Sequence, residues 1–310
     1  MVSARTKAHL MLLAVSAIWG VAPPAIKYSL KYFDTSVFLS YRFLITNILL
    51  IPLLFIVEPQ TWTTLSRLTV KKWLLLIMAG FLGSTVQLGL LFWGLENTSA
   101  IEGSIINATA PILVAIGCFF FLREKITARE KMGISVAFLG SAFVVIEPIF
   151  TGQYSASRMH FYGNTAVLLG TLVWAVYAIL SKKALRGHVS PLLLTTTMFF
   201  IGGLTMPIIT FFLHSPYSLR QSFLLAPFSA HLGVWFMAFI SGALAYFLYQ
   251  QATKYVEVSE ANIYTYLSPV FTLPLSLIFL KEPVGLWLIV GSAIIVGGVL
   301  LSELKTGQRR

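Results

Sequence analysis

A chain of 310 residues that is 57% apolar and 11% charged, with a mean hydropathy of +0.83, lies outside soluble composition and reads as an integral membrane protein. Its net charge of +11 would suit nucleic acid, but the basic residues fall in short loops and not on one face, which excludes that partner and leaves the lipid bilayer. The single Cys118 excludes an internal disulfide, the five histidines show no metal-ligand spacing, and with no Walker-type phosphate loop in the chain neither a cofactor nor ATP-driven pumping is expected.

Ten apolar spans follow in order, at 9–30, 35–57, 73–94, 99–121, 129–149, 161–181, 191–213, 231–252, 258–280 and 284–303. Each approaches the ~20 residues needed to cross a ~30 Å hydrocarbon core. Arg5 and Lys7 ahead of an apolar run ending Val15–Ser16–Ala17 have the look of a signal peptide, but residues 13 to 30 have a partner later in the chain and belong to the first span. The longest connections, 58–72, 150–160 and 214–230, leave no room for a soluble catalytic domain.

Span 1 carries Trp19–Gly20 and then Pro23–Pro24, where a bend is expected. In span 2, Arg42 is the one basic residue placed within the apolar core, at ~2.5 to 3.5 kcal/mol if central. Its position nearer one end favours snorkelling or pairing with Glu96. Span 4 opens with Ser99 and Glu102 in capping-box spacing. Ser104, Asn107, Ala108 and Pro111 then share one face at i, i+3, i+4 and i+7, and the span ends at a charged turn beginning Arg123–Glu124. The corresponding face of span 9 is Asn262, Thr265, Tyr266 and Pro269. Each proline removes a ladder donor and pushes against the carbonyl one turn earlier, that of Asn107 or Thr265. The two faces are expected to look at a shared cavity; interhelical packing is the other reading.

The chain repeats itself. At an offset of 155, Leu13, Trp19, Lys27, Leu30 and Pro52 match Leu168, Trp174, Lys182, Leu185 and Pro207; at 158, Glu102, Pro111, Glu124, Gly133 and Gly140 match Glu260, Pro269, Glu282, Gly291 and Gly298. Five spans per half is an odd number, so the second half enters the membrane upside down. The fold class is therefore all-α integral membrane, ten transmembrane helices in two inverted five-helix repeats, residues 1–150 and 151–310, an architecture of secondary transporters. With the N-terminus inside, sixteen Lys and Arg fall on inner segments and five on outer ones, so both termini are expected in the cytoplasm, across a plasma or inner membrane.

Polar and aromatic residues inside spans are the candidates for solute contact: Trp19, Gln87, Trp93, Asn107, Pro111, Trp174, Tyr177, Tyr246, Gln250, Asn262, Thr265, Tyr266 and Pro269. Together they suit an apolar pocket with a few polar anchors for a small amphipathic solute. Glu102 and Glu260 are accounted for by the helix dipole, and Glu124 and Glu282 by their turns. Neither a catalytic constellation nor a central carboxylate for a proton relay is visible, so an enzyme is not expected. A secondary transporter is the first reading, and a membrane scaffold or sensor without flux is the alternative. The sequence leaves the oligomeric state open, a monomer being one option.

These residues resemble the EamA-type proteins of the ten-span drug/metabolite transporter superfamily over nearly the whole chain. The resemblance rests on Trp19–Gly20, Lys27, Arg42–Phe43, Gly83, Gln87, Leu95, Pro111, Glu124, Gly133 and Gly140, and in the second half on Trp174–Ala175, Gly242, Tyr246, Pro269, Glu282, Gly291 and Gly298. It implies a carrier of small organic metabolites, often an exporter of amino acids or related compounds, with other members carrying drugs, nucleotide-derived compounds or sugars. It also implies a cavity lined mainly by spans 1, 3, 4, 6, 8 and 9. Pro23 meets Ala178 in the repeat, a departure that lets the two halves bend differently.

Overall fold

The computed structural model describes residues 3–107, 109–123, 127–150, 158–187, 189–275, 277–278 and 286–303. At 101, 102, 105, 137, 141–150, 158–160, 269, 273, 287, 288, 292, 295, 299, 302 and 303 only the backbone is described. Ala108, Glu124, Phe279, Leu280, Lys281 and Glu282 lie outside the described residues, as do the side chains of Glu102 and Pro269.

Among the described residues the chain is helical, without strands. Six helices among the described residues are long and apolar enough to cross a membrane: α1 (Ala4–Ser29), α2 (Thr35–Val57), α3 (Val70–Asn97), and, after the elements between them, the stretches Phe161–Arg186, Pro191–Leu213 and Phe228–Thr253. Between them come α4 (Ala100–Asn107), α5 (Ala110–Leu122) and α6 (Ala128–Phe150). The second half continues with α7 (Arg158–Arg186), α8 (Pro191–Leu213), α9 (Phe228–Thr253), α10 (Val258–Ile263), α11 (Ser268–Leu275) and α12 (Leu286–Glu303). Short helices at Thr61–Ser66 and Pro216–Leu225 occupy two of the connections.

The apolar surface is turned outward: Ile48, Ile56 and Phe212 are 74, 77 and 81% exposed. In water such a surface would aggregate; against acyl chains it costs nothing, because hydrocarbon is as apolar as the side chains. This is a multi-pass membrane protein.

Two features break helical regularity at matching places. The segment expected as one span at 99–121 is two helices, α4 and α5, separated around Thr109. The segment expected at 258–280 divides into α10 and α11, separated by a 3₁₀ turn at Tyr264–Leu267. Pro111 sits at the start of α5, where its missing N–H is one of the donors a helix leaves unused anyway. Likewise α3 and α9 each carry a π-helical stretch, Phe81–Val86 and Phe236–Leu244, directly before Gln87 and Ala245. Arg123, in the left-handed region at φ 55, turns the chain after α5.

Helix α1 runs unbroken through both prolines. Pro24 cannot donate to the carbonyl of Gly20, four residues earlier. That carbonyl accepts instead from Thr272 Oγ1 of α11, at 2.6 Å. The crossing is close: a Cβ on Gly20 would come within 2.6 Å of both Ser268 O and Phe271 Cβ. Helix α1 also packs on α9, and α2 on α8, α3 on α7 and α6 on α12.

Candidate functional site

A cavity of about 100 Å³ lies among α1, α2, α3, α4, the start of α5, α7, α9, the 3₁₀ turn at Tyr264–Leu267 and α11. Helix α1 contributes Trp19, Ala22, Pro23 and Ile26; α2 contributes Arg42; α3 contributes Gln87 and Phe92; α4 contributes Ser104 and Asn107. From the second half come Trp174, Ser241, Tyr246, Thr265 and Ser268.

Trp19 and Trp174 meet edge to face, ring centroids 5.4 Å apart and planes at 87°. Both touch Tyr246, at 5.3 and 6.1 Å. Trp19 Nε1 donates to Ser241 O at 3.2 Å, where the π-helical stretch of α9 runs. Wide turns of this kind displace carbonyls from the regular ladder and recur where helices meet ligands. Asn107 Oδ1 accepts a long bond from Thr171 Oγ1, 3.4 Å, and Thr265 Oγ1 donates to Asn262 O at 2.7 Å.

Six of the thirteen candidate residues thus line the cavity: Trp19, Gln87, Asn107, Trp174, Tyr246 and Thr265. Three others, Asn262, Gln250 and Tyr177, form a layer beside it. Asn262 accepts from Trp174 Nε1 at 2.9 Å and donates to Tyr249 Oη at 2.9 Å and to Val258 O at 2.9 Å, so its amide is satisfied by protein. Gln250 Nε2 donates to Tyr177 Oη at 2.7 Å, and all three of Asn262, Gln250 and Tyr177 are fully buried. Tyr266 packs apart from the cavity with Ala115, Ile134 and Ile263. Pro111 is buried at the start of α5. Trp93, six residues from Gln87 and so about 120° around the helix from it, is 40% exposed and stands away from the cavity. The Pro269 side chain lies outside the described residues.

Arg42 departs from the sequence expectation. It neither snorkels nor pairs with Glu96: it is 1% exposed and lines the cavity, and the Glu96 carboxylate takes the Thr35 hydroxyl at 2.6 Å. The reason is depth. Arg42 lies seven residues into α2, about 10 Å along the axis, and the rings of Phe43, Phe92 and Phe199 enclose its guanidinium, centroids 5.5 to 6.0 Å away. Its signal was visible as the lone basic residue within a span. Ser241 and Ser268 gave none.

At the N-terminal end of α1 polar side chains pair with α10 and the turn after it. Arg5 Nη2 donates to both Glu260 oxygens, at 2.8 and 2.9 Å. His9 Nε2 lies 3.4 Å from the same carboxylate, and its Nδ1 is 2.8 Å from Tyr264 Oη. Ser16 Oγ donates to Tyr264 O at 2.6 Å. Glu260 therefore does more than complement a helix dipole, since it ties α10 to α1. The cavity extends the other way, toward Ile26, Leu95 and Gly103.

The groups present can bind and orient a small amphipathic molecule: aromatic faces, two amides, hydroxyls and one guanidinium. Among the described residues no group of His, Cys, Asp or Glu could hold a metal ion.

The chain is 27% identical over 303 residues to an uncharacterized transporter, YyaM, of Bacillus subtilis, covering 95% of this chain and 93% of the relative. A protein of Streptantibioticus cattleyicolor named "Probable terminal-alkyne amino-acid exporter" is 25% identical over 268 residues, covering 80% of this chain and 85% of its own. One solved crystal structure superposes with a TM-score of 0.73 over 96% of this chain and 97% of that one, at 16% identity, which shows a shared fold. The EamA-like transporter family matches residues 6–146 and 161–304, and this chain, a membrane transporter of small solutes, belongs to that family.

Proposed function

We propose that this protein is a secondary transporter that exports small organic metabolites, amino acids or related compounds, by alternating access around the central cavity. In this reading residues 1–150 and 151–310 are two five-helix repeats of opposite orientation, ten spans in all, in the cell membrane with both termini cytoplasmic. The solute contacts Trp19, Gln87, Asn107, Trp174, Tyr246 and Thr265.

The observation that carries the reading is a cavity walled by corresponding positions of the two halves, Trp19 with Trp174 and Asn107 with Thr265, beside helices that break at corresponding places. Discontinuous helices at a repeat interface are how transporters expose backbone to a solute within the membrane. The Arg5–Glu260 pair and the Tyr177–Gln250 and Trp174–Asn262 bonds then form the cytoplasmic closure. The terminal-alkyne amino-acid exporter among the relatives supports the substrate class.

The test is solute movement in proteoliposomes loaded with a mixture of amino acids and related metabolites. Protein-dependent efflux of at least one solute, lost in W19A and N107A, is expected. Verified reconstitution with no flux of any solute beyond protein-free vesicles would overturn the reading.

A further inference from the structure

We propose that Arg42 is the anion-binding residue of the central cavity and that the transported solute carries a carboxylate, which the guanidinium holds. The proposal rests on the cavity being the solute site.

Arg42 is 1% exposed and lines the cavity wall. Its Nε and Nη1 are buried without a hydrogen-bond partner, and among the described residues it forms no salt bridge. Its neighbours are rings: Phe92 at 5.5 Å, Phe199 at 5.6 Å and Phe43 at 6.0 Å. Ring faces recover part of the lost hydration of a cation, but they offer no lone pairs to its N–H groups. A buried guanidinium with no counter-ion is unfavourable, and an apolar side chain of similar size would pack there at lower cost. The missing partner is an anion that enters through the cavity. A planar fork of donors matches a carboxylate, which it holds by two parallel bonds.

A second unpartnered group narrows the ligand. Gln87, 3% exposed and on the same cavity, has its amide oxygen buried without a donor. An acceptor of that kind suits an ammonium or N–H group. A solute with a carboxylate, an N–H donor and an apolar portion for the faces of Trp19 and Tyr246 satisfies all three, and α-amino acids are the smallest such class.

The experiment compares acids with their own neutral derivatives on the purified full-length protein. L-phenylalanine, L-leucine, L-methionine and L-valine are each set against the methyl ester and the primary amide, with chloride alone as a further arm, and melting temperature is read against concentration, since a ligand of the folded state raises it by mass action. The expected result is a shift with at least one acid and none with its ester. R42M should lose the shift while keeping its helical circular dichroism and an unliganded melting temperature at or above that of the native protein. R42K, which keeps the charge without the fork, should need about tenfold more ligand. Equal shifts with acid and ester, a shift retained in R42M, a shift produced by chloride alone, or none from any acid would each overturn the proposal. Efflux of an uncharged solute through R42M at the native rate would do so too while leaving the transporter reading standing; only the absence of flux for every solute defeats both.

Discussion

Lys27 and Lys182, 155 positions apart in the chain, do the same work on two different helices. Lys27 Nζ donates to the carbonyls of Leu95, Glu96 and Thr98 at the end of α3. Lys182 Nζ donates to those of Thr253 and Val256 at the end of α9. Leu95 corresponds to Thr253, and Thr98 to Val256, at the offset of 158 found in the neighbouring spans. Terminal carbonyls have no partner within a helix and carry the negative end of its dipole, so an ammonium is the natural cap. A pairing of cation and carbonyls that recurs with both offsets ties the repeated sequence to repeated packing.

The caps make a first prediction. K27M and K182M each leave several carbonyls unpaired at a helix end and should lower stability by about 1–3 kcal/mol. The loss should be greater for Lys182, which is 8% exposed and so has less water to replace it. Their effects should add, because the two ends share no partner. Thermal unfolding of the single and double variants in one detergent checks this; a double variant no worse than either single would show that the two sites act as one unit.

The Arg5–Glu260 pair, as the closure proposed above, predicts a change in access. E260Q keeps the shape of the side chain and removes the charge that Arg5 and His9 share. In a C118S background, a cysteine in place of Leu12, which is 1% exposed on α1, should react with a water-soluble maleimide about tenfold faster when Glu260 is Gln, corresponding to a loss of about 1.4 kcal/mol in the closed state. The charge swap R5E with E260R should bring the rate back. An unchanged rate in E260Q would mean that the pair decorates a wall already sealed by the Tyr177 and Asn262 bonds.

These two predictions differ in how far the sequence anticipates them. Lys27 and Lys182 stand out as paired positions because a repeat leaves its mark at fixed offsets, and the breaks near Asn107 and Thr265 follow from prolines whose effect is local. Arg5 and Glu260 are 255 residues apart, and nothing periodic joins them. The same holds for Trp174 and Asn262: Asn262 shares a helical face with Thr265 in the sequence pattern, yet its amide is taken up by Trp174, Tyr249 and Val258, while Thr265 meets the cavity. Arg42 shows a different limit. Its charge is plain in the sequence, but whether a basic side chain reaches water depends on which rings surround it, and two of the three, Phe92 and Phe199, come from α3 and α8.

The Gly20–Thr272 bond predicts a thermodynamic cycle. T272V removes the donor to a buried carbonyl that Pro24 has already deprived of its ladder partner, at about 1–3 kcal/mol. P24A restores an N–H aimed at that carbonyl, so T272V in the P24A background should cost at least 1 kcal/mol less, the coupling expected of two groups serving one acceptor. Unfolding midpoints of the four proteins give the coupling directly. Strict additivity would mean that Thr272 stabilises α11 alone, through its second bond to Ser268 O at 3.0 Å.

Two glycines distinguish a fixed contact from a yielding one. A Cβ on Gly80 would come within 2.4 Å of Ile201 Cδ1, the free tip of a side chain that can take another rotamer. A Cβ on Gly20 would meet a backbone oxygen and a Cβ, both at 2.6 Å, and neither moves unless α11 moves. G80A should therefore change stability by less than about 1 kcal/mol, whereas G20A should cost about 1–3 kcal/mol and displace α11 from α1. Displacement has a consequence beyond stability, because Trp19 and Ser268 on either side of the crossing both line the cavity. G20A should then weaken solute-induced stabilisation even at a temperature where the protein remains folded, and G80A should not. If both variants bound solute as the native protein does, the α1–α11 crossing would be a packing contact with no bearing on the cavity.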